Sequence, residues 1–422
     1  MIPLLVIVSI GYASITWVNR PLSLALLIVL LPTYQIRFEA FGIPLTLLEI
    51  FIILLTCIWI VQTLRSRERI TIPYAWAIGA FVLAGTIATV VSVDLRAGLG
   101  LWKAYIIEPV LVYLVYMNTI HGEKDQRQIH WAFIILLVAI GVGAIFQVMG
   151  WMQVPEPYAN EIPRRVTSVY PFPTAIGKIA DQLIVFSLAF VAFFWSALRA
   201  QIRRRMFGFI LAGGLGMVSL FLSVNRGALL GVLASIFLFA LLSRRRVIVL
   251  SFCALVCIAL LFVPVVHMQI EKVFSRTDTS TDVRIVMWQG TWRLITHHPI
   301  MGAGLGGFPV LYDEYRDASH VELFPNPDSL YLTLWSEMGL YGAAAFLWIF
   351  AIWIRASWRA IHTRPPGTYR WLIGVATLAA FIAFLVHGIV DTPYFKNDLA
   401  VFFWILFALT VQNERKSHER LA

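Results

Sequence analysis

The feature that most constrains this chain is a succession of apolar runs, each about as long as a bilayer is thick. A helix needs roughly 20 apolar residues to cross the hydrocarbon core. Runs of that kind fall near residues 2–18, 21–34, 43–63, 73–92, 98–119, 130–150, 174–197, 207–223, 227–242, 247–266, 328–354, 371–390 and 398–412. They predict 13 spans, or 12 if the short first two form one broken hairpin. Strands are not expected, because backbone groups in lipid must be satisfied within a helix or a closed barrel. The runs are also continuous, without the alternation of a barrel strand. The expectation is an all-α polytopic transmembrane bundle embedded in a lipid bilayer. Composition agrees: 59% of residues are hydrophobic and 13% charged, about half the charged fraction of a soluble domain. The first run begins at Ile2 with no basic segment ahead of it, so it reads as a span and not as a cleaved signal peptide.

Charge gives the orientation. Basic clusters occur at Arg65/Arg67/Arg69, Lys124/Arg127, Arg199/Arg203/Arg204/Arg205, Arg244/Arg245/Arg246, Arg355/Arg359/Arg364/Arg370 and Arg415/Lys416/Arg420. When the spans alternate, all of them fall on one side together with Arg20. That side holds 20 of the 33 Lys and Arg but only 5 of the 23 Asp and Glu. By the positive-inside rule it is cytoplasmic. The same rule accounts for the net charge of +10, so nucleic acid is not expected as a partner. Cys57, Cys253 and Cys257 lie in apolar runs and read as small buried hydrophobes, not as disulfides or metal ligands.

The chain then divides into an N-terminal bundle (1–266), a large extracytoplasmic loop (267–327), C-terminal spans (328–412) and a cytoplasmic tail (413–422). A loop of about 60 residues is too long to be structureless in a compact protein unless it has a function. Within it, Asp282 to Thr296 reads as a helix, with Val283, Val286, Met287, Gly290 and Leu294 at three- and four-residue steps. A second, Pro-rich outward loop runs from Trp151 to Pro173.

Charges within spans are costly and are functional candidates by default. Glu49, Lys103, Lys178, Asp181, His387 and Asp391 all fall in the outer halves of their spans. Lys178 and Asp181, three residues apart, share a helical face on which they can pair. Taken singly, each charge can also be explained by snorkelling or by a bond to a neighbouring helix. As a set they suggest a polar region opening outward. The outward arginines form a second set: Arg164, Arg165, Arg226 in the tight turn Ser223-Val-Asn-Arg-Gly227, and Arg284 on the loop helix. A guanidinium fork suits phosphate, and lipid headgroups are the competing explanation for Arg164 and Arg165. The outward segment Asp391-Thr-Pro-Tyr-Phe-Lys-Asn397 carries no assigned role.

Soluble-enzyme motifs fail on context. Gly302-Ala-Gly-Leu-Gly-Gly307 has no preceding strand and is not a dinucleotide loop. His297 and His298 are adjacent and cannot share a face to bind zinc. There is no Walker lysine motif and no Gly-x-Ser-x-Gly elbow.

Several outward elements resemble those of one family. Asp328-Ser, nine residues, then Gly339-Leu-Tyr-Gly342 resembles the signature of the O-antigen ligase/polymerase superfamily, in which a His and a small polar residue precede nine residues and a Gly-x-x-Gly. Arg226-Gly-Ala-Leu-Leu230 resembles its Arg-x3-Leu motif. Arg284 to Gly307, with Trp288 and His298-Pro299, looks like the end of the family's large outer loop. Arg164-Arg165-Val-Thr-Ser-Val-Tyr170 resembles its earlier arginine element. The resemblance covers residues 160–345.

That resemblance implies a GT-C type membrane glycosyltransferase of the bacterial inner membrane, working at the periplasmic face without a metal or nucleotide cofactor. Its donor would be an undecaprenyl-pyrophosphate-linked glycan. Its acceptor would be lipid A–core for a ligase, or another lipid-linked glycan for a polymerase. The arginines Arg226 and Arg284, with Arg164 or Arg165, would hold the pyrophosphate, and Lys178 and Asp391 would line the substrate region. The family's histidine position is Asp328 here. A carboxylate can also serve as general base, but the departure weakens a ligase assignment against a polymerase. Asp328 also has the sequence position of a helix N-cap. The competing classes are a transporter or flippase of the same lipid-linked saccharide, and a scaffold. A transporter is expected to carry polar groups through its inner half as well, and few charges occur there.

Overall fold

The computed structural model describes residues 2–40, 42–194, 200–243, 251, 279–317 and 324–415. The expected span 247–266, the cluster Arg244–Arg246, Arg199, Cys253, Cys257, Lys416 and Arg420 lie outside the described residues, as do the first twelve residues of the large loop.

The expected all-α architecture is observed. In chain order the helices are α1 (Ile2–Val18), α2 (Arg20–Val29), α3 (Leu47–Ser66), α4 (Ala75–Val90), α5 (Leu95–Trp102), α6 (Glu108–Met117), α7 (Glu123–Val148), α8 (Pro173–Phe194), α9 (Ala200–Ser223) and α10 (Arg226–Leu242). They continue with α11 (Thr279–His297), α12 (Phe308–Tyr312), α13 (Leu330–Thr363), α14 (Tyr369–His387) and α15 (Asn397–Arg415). Seven stretches among the described residues are long and apolar enough to cross a membrane: α3, the α5–α6 rod, α7, α8, α9 from Met206, α13 and α14. The chain is a polytopic helical membrane protein.

Polar caps set where the apolar helices begin. Thr46 and Glu49 form a reciprocal capping box on α3, and Asn225 caps α10 by accepting from the Ala228 amide at 3.0 Å. Asn19 caps α2 in the same way. At 10 residues, α2 rises only about 15 Å. It reaches the far end of the bundle with the help of a 3-10 turn, Leu31–Gln35.

The helix buried on every side is α15. Residues Asn397 to Glu414 are all buried, which is why its apolar residues occur all round and not on one stripe. Its aromatic side chains knit the bundle: Trp404 and Phe407 meet Tyr113 of α6 at 5.5 and 5.6 Å, and Phe403 meets Phe346 and Trp353 of α13 at 5.4 and 5.1 Å. Stacked, edge-to-face and tilted pairs of this kind add to simple packing. Where lipid gives no hydrophobic drive between helices, small residues allow close approach. At Gly231 a Cβ would meet the Ala383 carbonyl at 2.8 Å, so α10 crosses α14 backbone to backbone.

The two ends of the bundle differ. At one end Glu414 accepts from Arg359 at 3.1 Å and from the Tyr74 hydroxyl, Arg355 reaches Tyr74 at 2.6 Å, and Arg20 faces Glu68. The described basic residues Arg20, Arg355, Arg359 and Arg415 gather at this end. The other end carries the Trp151–Pro173 loop, the α9–α10 turn, α11, α12 and the α14–α15 turn. Gln35 bonds the Val169 carbonyl there at 2.7 Å, and Arg165 bonds the Ser223 carbonyl at 3.0 Å.

Three expectations are corrected. Strands do occur: Arg37–Ala40 and Ile43–Thr46 pair as an antiparallel hairpin, with Arg37 opposite Thr46. Its backbone groups are satisfied because the hairpin sits at the bundle end between α2 and α3, beyond the helices that satisfy the rule for lipid. Cys57 is exposed on α3, not buried, since it points away from the bundle. Lys178 and Asp181 do not pair, because each finds a partner across to α14 or the turn that follows it.

Helix α11 extends the expected Asp282–Thr296 helix by a few residues at its ends. It packs over the bundle end through a small core of Met287, Leu294, Ala303, Phe308 and Tyr312. Its Trp288 indole donates to the Pro327 carbonyl at 2.9 Å. The glycine run 302–307 then threads against α13. Ala303 donates to the Ser336 carbonyl at 2.6 Å, and the Gly306 amide bonds the Glu337 carboxylate. At this contact α13 kinks at Gly339, whose φ of 62° and ψ of −169° are non-helical. The Leu340 amide turns out to the Pro299 and Ile300 carbonyls, both at 3.1 Å. The glycine run is therefore a packing device, consistent with its rejection as a dinucleotide loop.

Candidate functional site

The start of α13 and the α14–α15 turn are fastened together. The Leu330 amide donates to Gly388 and Asp391 carbonyls at 2.8 and 2.9 Å. Asn326 accepts from the Asp328 amide at 3.1 Å and meets the Thr392 hydroxyl at 3.5 Å. Asp328 itself has φ of +46°, a left-handed conformation that Asp tolerates better than most residues. The N-cap of α13 is Ser329, not Asp328. Because Ser329 occupies the N-cap position, the cap role expected as an alternative for Asp328 does not apply.

Beneath this turn runs a chain of buried charges. Lys178 of α8 bonds Asp391 at 2.7 Å. The other Asp391 oxygen lies 3.5 Å from His387 Nε2, and His387 Nδ1 bonds Asp181 of α8 at 2.8 Å. Burial pushes the Asp391 carboxyl up, but Lys178 and His387 outweigh it and hold it well below the usual carboxylate range. Pairs buried to this degree add little net stability but are costly to break. Gly227 lets the first turn of α10 close on this chain: a Cβ there would meet His387 Cδ2 at 2.8 Å. Arg226, one residue earlier, is exposed at the same turn.

Asp328 lies over the chain. Burial raises its pKa, the Asp391 charge raises it further, and Lys178 and Arg284 oppose them. A carboxylate raised in this way is a better proton acceptor. Arg284 Nε is buried with no hydrogen-bond partner among the described residues, so a donor is held in reserve beside Asp328.

Of the site residues expected from sequence, the fold brings Lys178, Asp391, Asp328 and Arg284 into one cluster, with Arg226 at the adjoining turn. Arg165 is spent in part on structure: besides Ser223 it faces Glu161 at 3.6 Å. Arg164 is exposed on the same loop. Glu49 and Lys103 pair at 3.1 Å in a separate group with Asn397 at the start of α15. Sequence reading passes over Glu108 and Glu337 and gives Lys396 no role. Glu108 is an acid within an apolar run, just before Pro109, and that is the signal that finds it.

A predominantly helical, multi-pass membrane protein with a cluster of buried charges at one end is the class that this geometry defines. Residues 214–347, roughly a third of the chain, match the model of a protein family described as O-antigen ligase. The matched segment spans Arg226, Arg284, Asp328 and the Gly339 kink, which bears out the resemblance read from the sequence. A comparison with curated proteins finds no match.

Proposed function

We propose that this protein is a glycosyltransferase that moves or polymerises an undecaprenyl-pyrophosphate-linked glycan at the outer face of the bacterial inner membrane. The observation that carries this reading is the gathering of Asp328, Arg284, Lys178 and Asp391 beside the Arg226 turn, with three of the five in the segment matched to O-antigen ligases. The excess of basic residues at the opposite end supports an outward orientation for the cluster. The buried Lys178–Asp391–His387–Asp181 chain acts as a rigid floor. Arg226 and Arg284 supply guanidinium forks for the donor pyrophosphate, with Arg164 or Arg165 as further contacts.

In the reaction, the acceptor hydroxyl oxygen attacks the anomeric carbon. The bond from that carbon to the pyrophosphate oxygen breaks, and undecaprenyl pyrophosphate leaves. Asp328 accepts the hydroxyl proton, and the arginines stabilise the charge that develops on the leaving group. A single displacement inverts the anomeric centre. The α11–α12 cover limits water, which would otherwise compete as acceptor.

The test is to incubate the purified protein with undecaprenyl-pyrophosphate glycan, with and without lipid A–core, and to follow products by gel and mass spectrometry. Glycan on lipid A–core marks a ligase, and longer lipid-linked glycan marks a polymerase. No product from folded protein under either condition refutes the transferase reading.

A further inference from the structure

A second polar group lies at the same end of the bundle, and the reaction above does not use it. A cavity of about 520 Å³ opens between the β-hairpin and the α5–α6 rod. Between α5 and α6 the rod is a π-helical turn, Lys103–Ile107. Such turns are frequent at functional sites. This one places Lys103 on the cavity wall, 3.1 Å from Glu49 and 3.5 Å from the Pro44 carbonyl. Arg37 of the hairpin, Tyr34, Tyr105, Lys396 and Asn397 complete the lining that matters here.

The polar atoms in it are incompletely used. Lys396 Nζ is buried and makes no hydrogen bond among the described residues. It lies 4.1 Å from the Tyr34 ring centre and 4.7 Å from that of Phe172, and its nearest carboxylate is Asp398 at 3.9 Å. Burial pulls the Lys396 pKa down to about 8; Asp398 offsets only part of that, and Lys178 and Arg37 push it further down. Asn397 donates to Glu49 at 3.2 Å and to Glu108 at 3.4 Å, while its own carbonyl oxygen has no partner among the described residues. Glu49 is paired with Lys103, and Lys396 has only its longer contact to Asp398, so Arg37 and Lys396 are placed to meet an anion even though Glu39 also lines the cavity. Free donors, a free acceptor and aromatic faces together suit a sugar ring, whose hydroxyls both donate and accept and whose C–H face is apolar. The volume lies in the usual range for small-molecule sites.

We propose that this cavity is a second saccharide subsite, which takes an acidic sugar of the acceptor glycan and binds its carboxylate or phosphate between Arg37 and Lys396. The assignment to the acceptor rests on the transferase reading; the site itself does not. The turn from Asp391 to Lys396 joins the two groups in the chain.

The full-length protein in nanodiscs is titrated with glucuronic acid, glucose 1-phosphate and glucose, with binding read by saturation-transfer NMR. Lys396→Met and Arg37→Ala are compared with Asp328→Asn. Because Arg37 is exposed on the hairpin, its variant keeps the test meaningful if Lys396→Met misfolds. The expected result is binding of one or both acidic sugars, weakened about tenfold or more in the cavity variants and unchanged in Asp328→Asn. A response to glucuronic acid alone identifies a carboxylate site, and one to glucose 1-phosphate alone a phosphate site. Equal binding of glucose, displacement by phosphatidylglycerol, or unaltered binding in Arg37→Ala overturns the proposal. Sugar binding without any glycan transfer would leave the subsite standing and remove the transferase reading.

Discussion

Replacing Gly339 by alanine tests how the outer cover is coupled to the membrane helices. Gly339 holds φ of 62° and ψ of −169°, a region that only glycine visits readily and that costs other residues about 1–3 kcal/mol. The added Cβ would also lie 2.6 Å from the Ile300 carbonyl carbon. That neighbour is backbone and cannot swing aside, so overpacking adds about 1–3 kcal/mol. The total, about 2–6 kcal/mol, falls on the contact where Leu340 bonds Pro299 and Ile300. The assay is the thermal midpoint of purified protein, followed by near-ultraviolet circular dichroism. Gly100→Ala in α5 is the control, because a Cβ there meets nothing within 4 Å and alanine is the better helix former. A Gly339→Ala midpoint equal to that of Gly100→Ala would refute the account of the kink.

Three further outcomes are expected. Arg226→Ala abolishes transfer while insertion and the elution profile stay normal; full activity would remove the central residue of the mechanism. Asp328→Asn lowers turnover about 10²- to 10⁴-fold, the usual contribution of a general base. In the parent protein the rate falls as pH drops through an Asp328 pKa raised above 3.8, because the protonated carboxyl cannot accept the proton, with Asp391, Lys178 and Arg284 setting that value. The acid limb should vanish in Asp328→Asn, and its persistence would assign it to another group. Lys178→Met leaves Asp391 with one fewer partner and costs about 3–5 kcal/mol; Lys178→Met combined with Asp391→Asn recovers part of that loss. A double variant less stable than Lys178→Met would show that the pair is not coupled as described.

The sequence made the apolar helices readable, because hydropathy is a local property, though among the described residues seven stretches, not 13, are long and apolar enough to cross a membrane. It also placed Arg284 on a helix and set Lys178, Asp391 and Asp328 on one side. It misassigned the partners. Lys178 and Asp181 are three residues apart, yet each reaches a group more than 200 positions away, and no spacing rule covers contacts between helices. The Asp328 turn was misread for a related reason: Pro-Asp-Ser suits a cap at either residue, and the left-handed φ that decides for Ser329 is set by Asn326 and the α14–α15 turn. The hairpin went unread because its strands are four residues each, too short for alternation to show.

The π turn at Lys103 has a historical consequence. Such a turn is an α-helix with one residue too many, forced to bulge because the flanking segments keep their places. Deleting a single residue from Lys103–Ile107 would restore a regular rod between α5 and α6 and withdraw the lysine from the hairpin cavity. A relative one residue shorter in this stretch should therefore retain the bundle and the Asp328 cluster while having lost, or never gained, the second pocket.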